Sequence, residues 1–378
     1  MKKVLILEDS RKVGFGGGQK GSLEVISSLV DHFEVTATDS LPDSIFATRS
    51  RELLGKPVYR LRSFGSDVGG NKGSFRIGFL ELVMYPFLTA WNVIGLFGLI
   101  RREGMNSRNA ILYAPLKKTL VPAWVLSLVT RIPFVYHART VDDPTSVYFK
   151  ILKFILKRAR SILCVSQAVA SNLEMPQCQV LYNAVQTQEG ATAKRVPALL
   201  PSSDKPKFVV AAFASLLHWK GLEYLIRAAR LVRNPEDVEV RIYGKGPLEN
   251  ELRELCSSNC KMLGFAENVN EILASEVHVV CTPSIFEEAF GRVPMEGNSF
   301  GIPAIVTNIG AQAEITIDAV TGYHVPPKDA QAIAEAIDHM LANPDHYHLL
   351  SQQAIEHSKS FDLAAHRLRV RSIFESIN

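Results

Sequence analysis

Short apolar runs rich in Val and Ile recur along this chain, and they constrain its fold more than any other feature. The first half contains KVLILE, FEVTATD, AILYAP, PFVYHA, SILCVS and QVLYN, separated by longer segments with helical spacing. Continuous rather than alternating hydrophobicity is typical of strands that are buried on both faces. Strands that alternate with helices indicate a parallel α/β sheet.

A polar, proline-containing segment, QTQEGATAKRVPALLPSSDKPK at 186–207, interrupts this pattern, which then restarts with FVVAAFAS. The chain has 378 residues, 47% of them hydrophobic, which is enough for two separate cores. We therefore predict an N-terminal domain over 1–186, a linker over 187–207 and a C-terminal domain over 208–360. We expect a final helix over 361–378 that crosses back to the first domain. Ligands of such sheets bind at the carboxyl ends of strands, here in a cleft between the domains.

The net charge of +4 is unevenly distributed along the chain. Residues 1–186 carry 24 Lys and Arg against 14 Asp and Glu, or +10, and residues 187–378 carry 18 against 24, or −6. This asymmetry favours different partners for the two halves, although two ordinary solvated surfaces would give the same counts. The five cysteines lack metal-ligand spacing and are interpreted as buried thiols. The N-terminus, MKKVLILEDS, is typical of a first strand rather than a secretory signal, so we expect a cytoplasmic protein.

The stretch SIFEEAFGRVPMEG, Ser284 to Gly297, lies between two apolar segments and contains three glutamates. Pro294 is suited to the first turn of a helix, and a helix N-terminus attracts anions such as a diphosphate. Glu288 and Glu296 would then lie near that anion site, where carboxylates can accept hydrogen bonds from sugar hydroxyls. Helix capping by acidic residues is an equally good explanation of this stretch alone.

This stretch, followed by GIPAIVTNIGAQAEI and TGYHVPPKD, resembles the nucleotide-sugar site of retaining glycosyltransferases of family four. The signature of that family is two glutamates separated by seven residues, which is the spacing of Glu288 and Glu296. The resemblance continues in HWKGLEYLIRAA, VRIYGKGPLENEL and MLGFAENVNEIL and covers most of 208–330; it is weaker in GFGGGQ, VYHART, CVSQAV and LYNAV. It implies the GT-B fold, an α/β architecture of two doubly wound Rossmann-like domains that face each other across a cleft.

The resemblance also implies roles for individual residues. Glu296 would hold the ribose hydroxyls of the nucleotide, and Glu288 would contact the transferred sugar. Lys220 would neutralise the departing diphosphate, which gains charge as it leaves. The backbone beside the sugar and diphosphate would come from Ala289, Phe290 and Gly291.

The sequence departs from the family pattern at the position five residues before Lys220. The family usually has an arginine there, whereas this chain has Ser215, which cannot form a charged bidentate pair. Arg292 is a candidate replacement cation. A smaller departure is Gly297, where the family usually has alanine, and NAVQ at 183–186 is another.

The first half supplies a glycine-rich loop, VGFGGGQKG, and the strand end PFVYHART. The loop fits a dinucleotide fingerprint badly, because the frame that starts at Gly14 places Gln19 where a third glycine belongs. The resemblance places His137 beside the transferred sugar, with Arg139 as a weaker donor-binding candidate. It places three glycines beside the diphosphate and the acceptor: Gly16, Gly17 and Gly18.

The sequence has no metal-binding signature of alternating aspartates, because Asp142 and Asp143 are adjacent. We therefore expect a metal-independent enzyme without a cofactor, whose donor is a UDP- or GDP-linked sugar. The resemblance implies a front-face displacement, in which the acceptor hydroxyl attacks as the diphosphate leaves and a diphosphate oxygen takes the proton.

Residues 79–100 are almost wholly apolar, but a membrane span there would split one α/β domain and meet Pro86. We interpret this segment as a buried helix or as a surface that dips into a membrane. The nearby sequence YFKILKFILKRAR places Lys150, Lys153, Lys157 and Arg160 on one helical face. Basic amphipathic helices favour anionic lipid, so we expect a peripheral protein on the inner face of the membrane.

These features together predict a retaining hexosyltransferase that acts on a saccharide or lipid-linked acceptor in cell-surface polysaccharide, such as lipopolysaccharide, or glycolipid biosynthesis. We expect no nucleic-acid partner. The alternatives are another GT-B enzyme, such as a nucleotide-sugar epimerase, or a non-catalytic sugar-nucleotide-binding protein of the same fold.

Overall fold

The computed structural model describes residues 1–10, 16–62, 79–188, 191–192 and 207–377. The chain divides into two compact units: Met1–Ala184 with Ala364–Asn378, and Val185–Leu363. Most of the predicted linker lies outside the described residues, and the domain boundaries given above stay predictions.

The first unit is built on a seven-stranded sheet in which all neighbouring strands are parallel. Its strands are β1 (Lys3–Leu7), β2 (Glu34–Asp39), β3 (Tyr59–Arg60), β4 (Ala110–Ala114), β5 (Phe134–Ala138), β6 (Ser161–Cys164) and β7 (Cys178–Val180), in the order β3-β2-β1-β4-β5-β6-β7. The connecting helices are α1 (Gly17–Leu29), α2 (Ile45–Leu54), α3 (Phe79–Arg102), α4 (Lys117–Thr130), α5 (Val147–Leu156) and α6 (Gln167–Leu173). Strands β1, β4, β5 and β6 are almost entirely buried, as their unbroken apolar sequences predicted.

The second unit repeats the plan with a six-stranded parallel sheet. Its strands are β8 (Phe208–Phe213), β9 (Val238–Tyr243), β10 (Cys260–Gly264), β11 (Val279–Thr282), β12 (Ala304–Thr307) and β13 (Gly322–Val325), in the order β10-β9-β8-β11-β12-β13. Its helices are α7 (Leu222–Leu231), α8 (Glu249–Leu255), α9 (Val269–Ser275), α10 (Arg292–Ser299), α11 (Gln312–Ile315), α12 (Ala330–Ala342) and α13 (Pro344–Ser358). The fold class predicted from the sequence, two doubly wound parallel α/β sheets, is confirmed.

Each sheet reverses its strand order at one point. In the first unit, β2 and β3 lie on one side of β1, and β4 to β7 follow on its other side, so the order reverses between β1 and β4. In the second unit it reverses in the same way between β8 and β11. Loops that follow two such strands diverge and leave a crevice at the carboxyl edge of the sheet. The crevices of both units therefore lie where the sequence concentrates glycines, histidine, lysine and glutamates.

The last helix, α14 (Leu363–Ser376), packs into the core of the first unit. Val370, Ile373 and Phe374 are buried with β1, β4 and α1, and the Phe374 ring lies 5.8 Å from the Tyr113 ring. Lys2 Nζ also donates to the backbone oxygen of Ile377, at 2.8 Å. The end of the chain thus completes the unit in which the chain begins.

Helices α3 and α5 of the first unit contain the segments for which the sequence predicted membrane contact. Helix α3 runs through Pro86 rather than stopping there. In the described part of the chain, no helix combines the length and the apolar character that a membrane crossing needs. Helix α5 ends at Leu156, so Arg160 lies beyond the helix and the proposed four-residue basic face is shorter than the sequence suggested.

Candidate functional site

The crevice of the second unit is formed by the loops that follow β8 and β11. A 3₁₀ turn at His218–Lys220 leads into α7 through Gly221, which has a φ of 62°. A Cβ atom on Gly221 would lie 2.1 Å from the carbonyl oxygen of Pro283, so only glycine permits this approach. The Ile285 N–H also donates to the Trp219 carbonyl at 2.9 Å. These contacts bring Lys220 to the loop after β11.

Lys220 and Glu288 form an ion pair, with Nζ 2.7 Å from Oε1. Their side chains are only 18% and 10% exposed. The Ser284 hydroxyl donates to the same Oε1, and Lys220 Nζ lies 4.1 Å from the centre of the Trp219 ring. A fixed cation and a fixed carboxylate, both of which the sequence predicted as site residues, therefore meet at one point.

Helix α10 begins beside this pair. Gly291, with a φ of 78°, is its N-cap, and the backbone N–H groups of the first turn follow directly. Arg292 Nε lies 3.5 Å from Glu296 Oε1, and both side chains are about seven-eighths buried. A small pocket of about 70 Å³ is lined by Lys220, Ser284, Glu288, Gly291 and Arg292, together with apolar residues of β8 and β11. The helix start is at Arg292, two residues before the Pro294 that the sequence indicated.

The loop between β11 and α10 is held from behind by the segment after β12. The Ala311 N–H donates to the Glu288 carbonyl at 3.0 Å, and a Cβ on Gly310 would lie 2.8 Å from that oxygen. Phe290 is 5% exposed and packs edge-on against Phe361, so its ring belongs to the interior of the second unit. Ala289 is half-buried beside it.

Of the departures from the expected pattern, Gly297 has a structural explanation. A Cβ on Gly297 would lie 3.0 Å from Val280 Cγ2, so the valine of β11 occupies the space that an alanine would need. Ser215 is exposed in the loop after β8. Arg292, the predicted replacement cation, lines the same pocket as Lys220.

A polar cluster occupies the crevice of the first unit. His137 is at the end of β5, is 2% exposed, and its Nδ1 lies 2.6 Å from the Tyr113 hydroxyl of β4. Arg139 reaches both groups, with Nη2 3.1 Å from His137 Nδ1 and 3.2 Å from Tyr113 Oη. Burial first, and the nearby charge of Arg139 second, hold the pKa of His137 well below its usual range. His137 is therefore a neutral imidazole at physiological pH.

Arg139 also ties this cluster to the start of α1. Its Nη1 donates to the Gly18 carbonyl and, at 3.1 Å, to the Ser22 hydroxyl. A Cβ on Gly21 would lie 3.2 Å from Nη2, so glycine leaves room for the guanidinium. Gly16, Gly17 and Gly18 are exposed at the helix start. The structure thus brings two of the predicted residues, His137 and Arg139, to the predicted glycines.

Glu8, directly after β1, is a member of this cluster that the sequence reading missed. Its carboxyl group is fully buried, and burial raises its pKa to about 7 against the lowering effects of the Ser22 hydroxyl and Arg139. A glutamate that follows a fully apolar strand was the available signal, since ionisable groups there are rarely buried without a role.

The two adjacent aspartates after β5 serve local structure. Asp142 forms an ion pair with Lys117, and the Asp143 carboxylate accepts from the Thr145 N–H at 2.9 Å. Across the described ranges, no cluster of three or more histidines, cysteines or acidic residues is arranged to hold a metal ion.

Comparison with known proteins identifies the fold of the chain and a family match for part of it. The fold is GT-B: the chain superposes on the crystal structure of Anabaena HepE in complex with UDP-glucose with a TM-score of 0.78, over 100% of both chains at 20% identity. Residues 200–357, which contain the crevice of the second unit, match the family of glycosyl transferases group 1.

Two curated relatives match parts of the chain. An uncharacterized glycosyltransferase of Methanocaldococcus jannaschii is 32% identical over 134 residues, which are 34% of this chain and 34% of that protein. O-antigen chain mannosyltransferase C of Escherichia coli is 33% identical over 135 residues, which are 34% of this chain and 35% of that protein. The chain thus matches about a third of the length of these relatives.

The close contact between Gly221 and Pro283 predicts that adding one methyl group at position 221 strongly destabilises the second unit. We expect Gly221→Ala to lower the free energy of unfolding of the second unit by more than about 3 kcal/mol, because a left-handed backbone and a backbone clash are combined. Gly264→Ala is the matched control: its φ is 73°, but no atom lies within 4 Å of the added Cβ. We expect it to cost about 1–2 kcal/mol. Urea unfolding measures both variants, and equal losses would show that the contact with Pro283 is unimportant.

Proposed function

We propose that this protein is a retaining glycosyltransferase that moves a sugar from a nucleotide-diphosphate donor to a saccharide or lipid-linked acceptor. The observation that carries the proposal is the meeting of Lys220, Glu288 and the start of α10 at the switch point of the second sheet. The match of residues 200–357 to glycosyl transferases group 1 supports it.

The donor would lie across the first turn of α10. The N–H groups there and the Lys220 ammonium would take the diphosphate, and Glu296 would accept hydrogen bonds from the ribose hydroxyls. Glu288 would contact the transferred sugar. Arg292 would supply the second positive charge that Ser215 cannot provide.

In this proposal the positive charges and N–H groups around the diphosphate make the main contribution to catalysis. The bond between the anomeric carbon and the diphosphate oxygen breaks while the acceptor oxygen bonds to the same carbon on the same face. The acceptor proton passes to the departing diphosphate. Because negative charge grows on the diphosphate, a preorganised cation and helix-end N–H groups lower the barrier. We propose that they do so without a resident metal or cofactor.

The comparisons support a class of sugar donor and a class of product, but no individual donor or product. HepE was crystallised with UDP-glucose, and one relative is an O-antigen chain mannosyltransferase. We accordingly propose a UDP- or GDP-linked hexose as donor and a product that belongs to cell-surface polysaccharide, such as lipopolysaccharide, or glycolipid.

Donor binding predicts a thermal shift that depends on one glutamate. We expect a UDP- or GDP-sugar at about 100 times its dissociation constant to stabilise the protein by about 2.7 kcal/mol. Glu296→Ala removes the ribose acceptor, so the shift should be lost. Glu287→Ala, which changes an exposed glutamate of the same loop, is the matched control and should keep the full shift.

Two outcomes would contradict the proposal. A full shift in Glu296→Ala would show that this carboxylate does not hold the ribose. The absence of any shift with UDP-, GDP- and ADP-sugars in the unmodified protein would contradict the transferase function itself.

We also propose that the first unit docks on the inner, anionic face of a membrane through α5. Val147, Ile151 and Phe154 recur on one face of this helix and are 72%, 53% and 63% exposed. Lys150 and Lys157 are exposed on the same short segment. Apolar side chains flanked by lysines fit a surface with anionic headgroups above an apolar interior. The neighbouring apolar residue Leu152 lies on another face of the helix and is buried in the unit.

If the exposed apolar side chains of α5 insert into the membrane, replacing them with polar side chains should weaken binding to vesicles. Inserting Ile151 or Phe154 contributes roughly 1–2 kcal/mol each, so replacing both with serine should weaken binding to vesicles containing phosphatidylglycerol at least about tenfold. Leu349→Ser is the control, because Leu349 is 48% exposed on α13 of the second unit, a helix whose sequence contains no Lys or Arg. Flotation measures both, and an unmodified protein that stays at the bottom of the gradient contradicts the membrane proposal.

A further inference from the structure

The turn between α8 and β10 places two cysteine sulfurs side by side. Cys256 is the C-cap residue of α8, and Cys260 is the first residue of β10. Their Sγ atoms lie 3.2 Å apart. A disulfide bond is about 2.0 Å long, so the two sulfurs need to approach each other by only about 1.2 Å to form one.

Hydrogen bonds hold this turn in place. The Cys260 N–H donates to the Ser257 carbonyl at 3.0 Å, and the Ser257 hydroxyl donates to the side-chain oxygen of Asn259 at 2.7 Å. The side-chain NH₂ of Asn259 donates in turn to the Ala229 carbonyl of α7, also at 2.7 Å. The two thiols are therefore kept close by the fold of the second unit, and bond formation needs little movement of the backbone.

The two thiols differ in their surroundings. Cys260 is 6% exposed, whereas Cys256 is half-buried, so the interpretation of the cysteines as buried thiols is wrong for Cys256. Burial first, and the hydrogen bond with Cys256 second, hold the pKa of Cys260 above its usual range, which keeps its proton in place. Arg230 donates to the Leu255 carbonyl at 2.7 Å and so holds a positive charge beside the pair. Nearby positive charge favours the thiolate, which is the reactive form of cysteine.

We propose that Cys256 and Cys260 are a modification site, a peroxide-reactive dithiol that is reversibly oxidised to a disulfide. Cys256 is the sulfur that a peroxide reaches, and Cys260 is the thiol that resolves the product. The pair lies where β10 begins, at the edge of the second sheet opposite the carboxyl ends that form the crevice. This site is therefore separate from the groups of the proposed transferase function.

The oxidation proceeds in two steps. The Cys256 thiolate attacks one oxygen of hydrogen peroxide, the O–O bond breaks, and Cys256 sulfenic acid and hydroxide form. The Cys260 sulfur then attacks the sulfenic sulfur, the S–O bond breaks, and the departing oxygen leaves as water with the Cys260 proton. In sum, two thiols and one hydrogen peroxide give one disulfide and two waters, so the sulfurs lose two electrons and the peroxide gains them.

The neighbouring thiol decides what becomes of the sulfenic acid. A sulfenic acid without a partner thiol is oxidised further to a sulfinic acid, which thiols do not reduce. A disulfide is reduced again by thiol exchange, for example with glutathione. The short distance between the two sulfurs therefore makes the oxidation reversible.

The test is peptide mapping of the unmodified protein after brief treatment with hydrogen peroxide. The remaining thiols are alkylated, and trypsin then releases Cys256 and Cys260 together in one peptide, ELCSSNCK. Cys164 and Cys178 leave in a second peptide and Cys281 in a third, so the three peptides are read separately. We expect the first peptide to be unalkylated and lighter by two hydrogen atoms than its reduced form, and dithiothreitol should restore both thiols.

Cys281 on β11 is the internal control, because it is a lone thiol in its peptide and is 1% exposed. We expect the disulfide to form at least about ten times faster than Cys281 is oxidised, because burial screens a thiol from oxidants. Equal rates would show that the pair has no special reactivity and would overturn the proposal.

Two variants test the separate roles of the two sulfurs. Cys260→Ser leaves the sulfenic acid of Cys256 without a partner thiol, so dimedone, which traps sulfenic acids, should label Cys256. In Cys256→Ser the remaining Cys260 is buried and should stay a free thiol. Circular dichroism of both variants shows whether the fold is kept. Dimedone on Cys260 instead of Cys256 would contradict the assigned roles.

Three outcomes in the unmodified protein overturn the proposal without any variant. The first is alkylation of both cysteines after a treatment that oxidises free glutathione in the same solution. The second is a sulfinic acid on Cys256 in place of the disulfide, and the third is a disulfide that joins two chains on a non-reducing gel. None of these measurements uses a sugar donor, so failure of the transferase proposal would be seen separately, in the donor-binding measurements.

Discussion

The backbone contact between Gly221 and Pro283 is the constraint on which the site of the second unit depends. It sets the 3₁₀ turn against the loop after β11 and so places Lys220 Nζ 2.7 Å from Glu288. An ion pair that is mostly withdrawn from water contributes little net stability, because the cost of desolvation is close to the Coulombic gain. We propose that the pair serves a ligand instead, because it holds a cation in a fixed position near the start of α10.

In the first unit, the crevice where the strand order reverses contains a different set of polar groups. Its crevice contains a neutral histidine, an arginine and a buried glutamate instead of a lysine–glutamate ion pair. The end of the chain supports this cluster, since Phe374 of α14 packs against the Tyr113 ring. A substitution in the final helix can therefore disturb the site without touching any residue that contacts a ligand.

Much of the fold and part of the site could be predicted from the sequence. Unbroken apolar runs such as AILYAP specify strands buried on both faces, and they recur with helices between them in both halves. The spacing of Glu288 and Glu296 indicated a site because it resembles the two-glutamate signature of family-four glycosyltransferases. The pairing of Lys220 with Glu288 could not be predicted from spacing, since 68 residues separate them and only the sheet order brings them together.

Other features were missed for physical reasons. Tyr113 lies inside an apolar strand and resembles a core residue, and its contacts with His137 and Arg139 appear only in the folded structure. The sequence analysis did not identify which apolar residues of α5 are exposed. Helix α5 has ten residues with apolar side chains on two faces, so its sequence alone does not determine which face packs inward. In the structure Leu152 is buried and Ile151 is exposed.

The central claim is that Lys220 is the cation for the diphosphate, and calorimetry of two nucleotides tests it most directly. Binding of the nucleoside diphosphate and the monophosphate should be compared in the unmodified protein and in Lys220→Met. The account predicts that the variant binds the diphosphate roughly 10–100 times more weakly, because a charged hydrogen bond of about 1.5–3 kcal/mol is lost, while the monophosphate is bound almost as before. Unchanged affinity for the diphosphate, or an equal loss for both nucleotides, would contradict it.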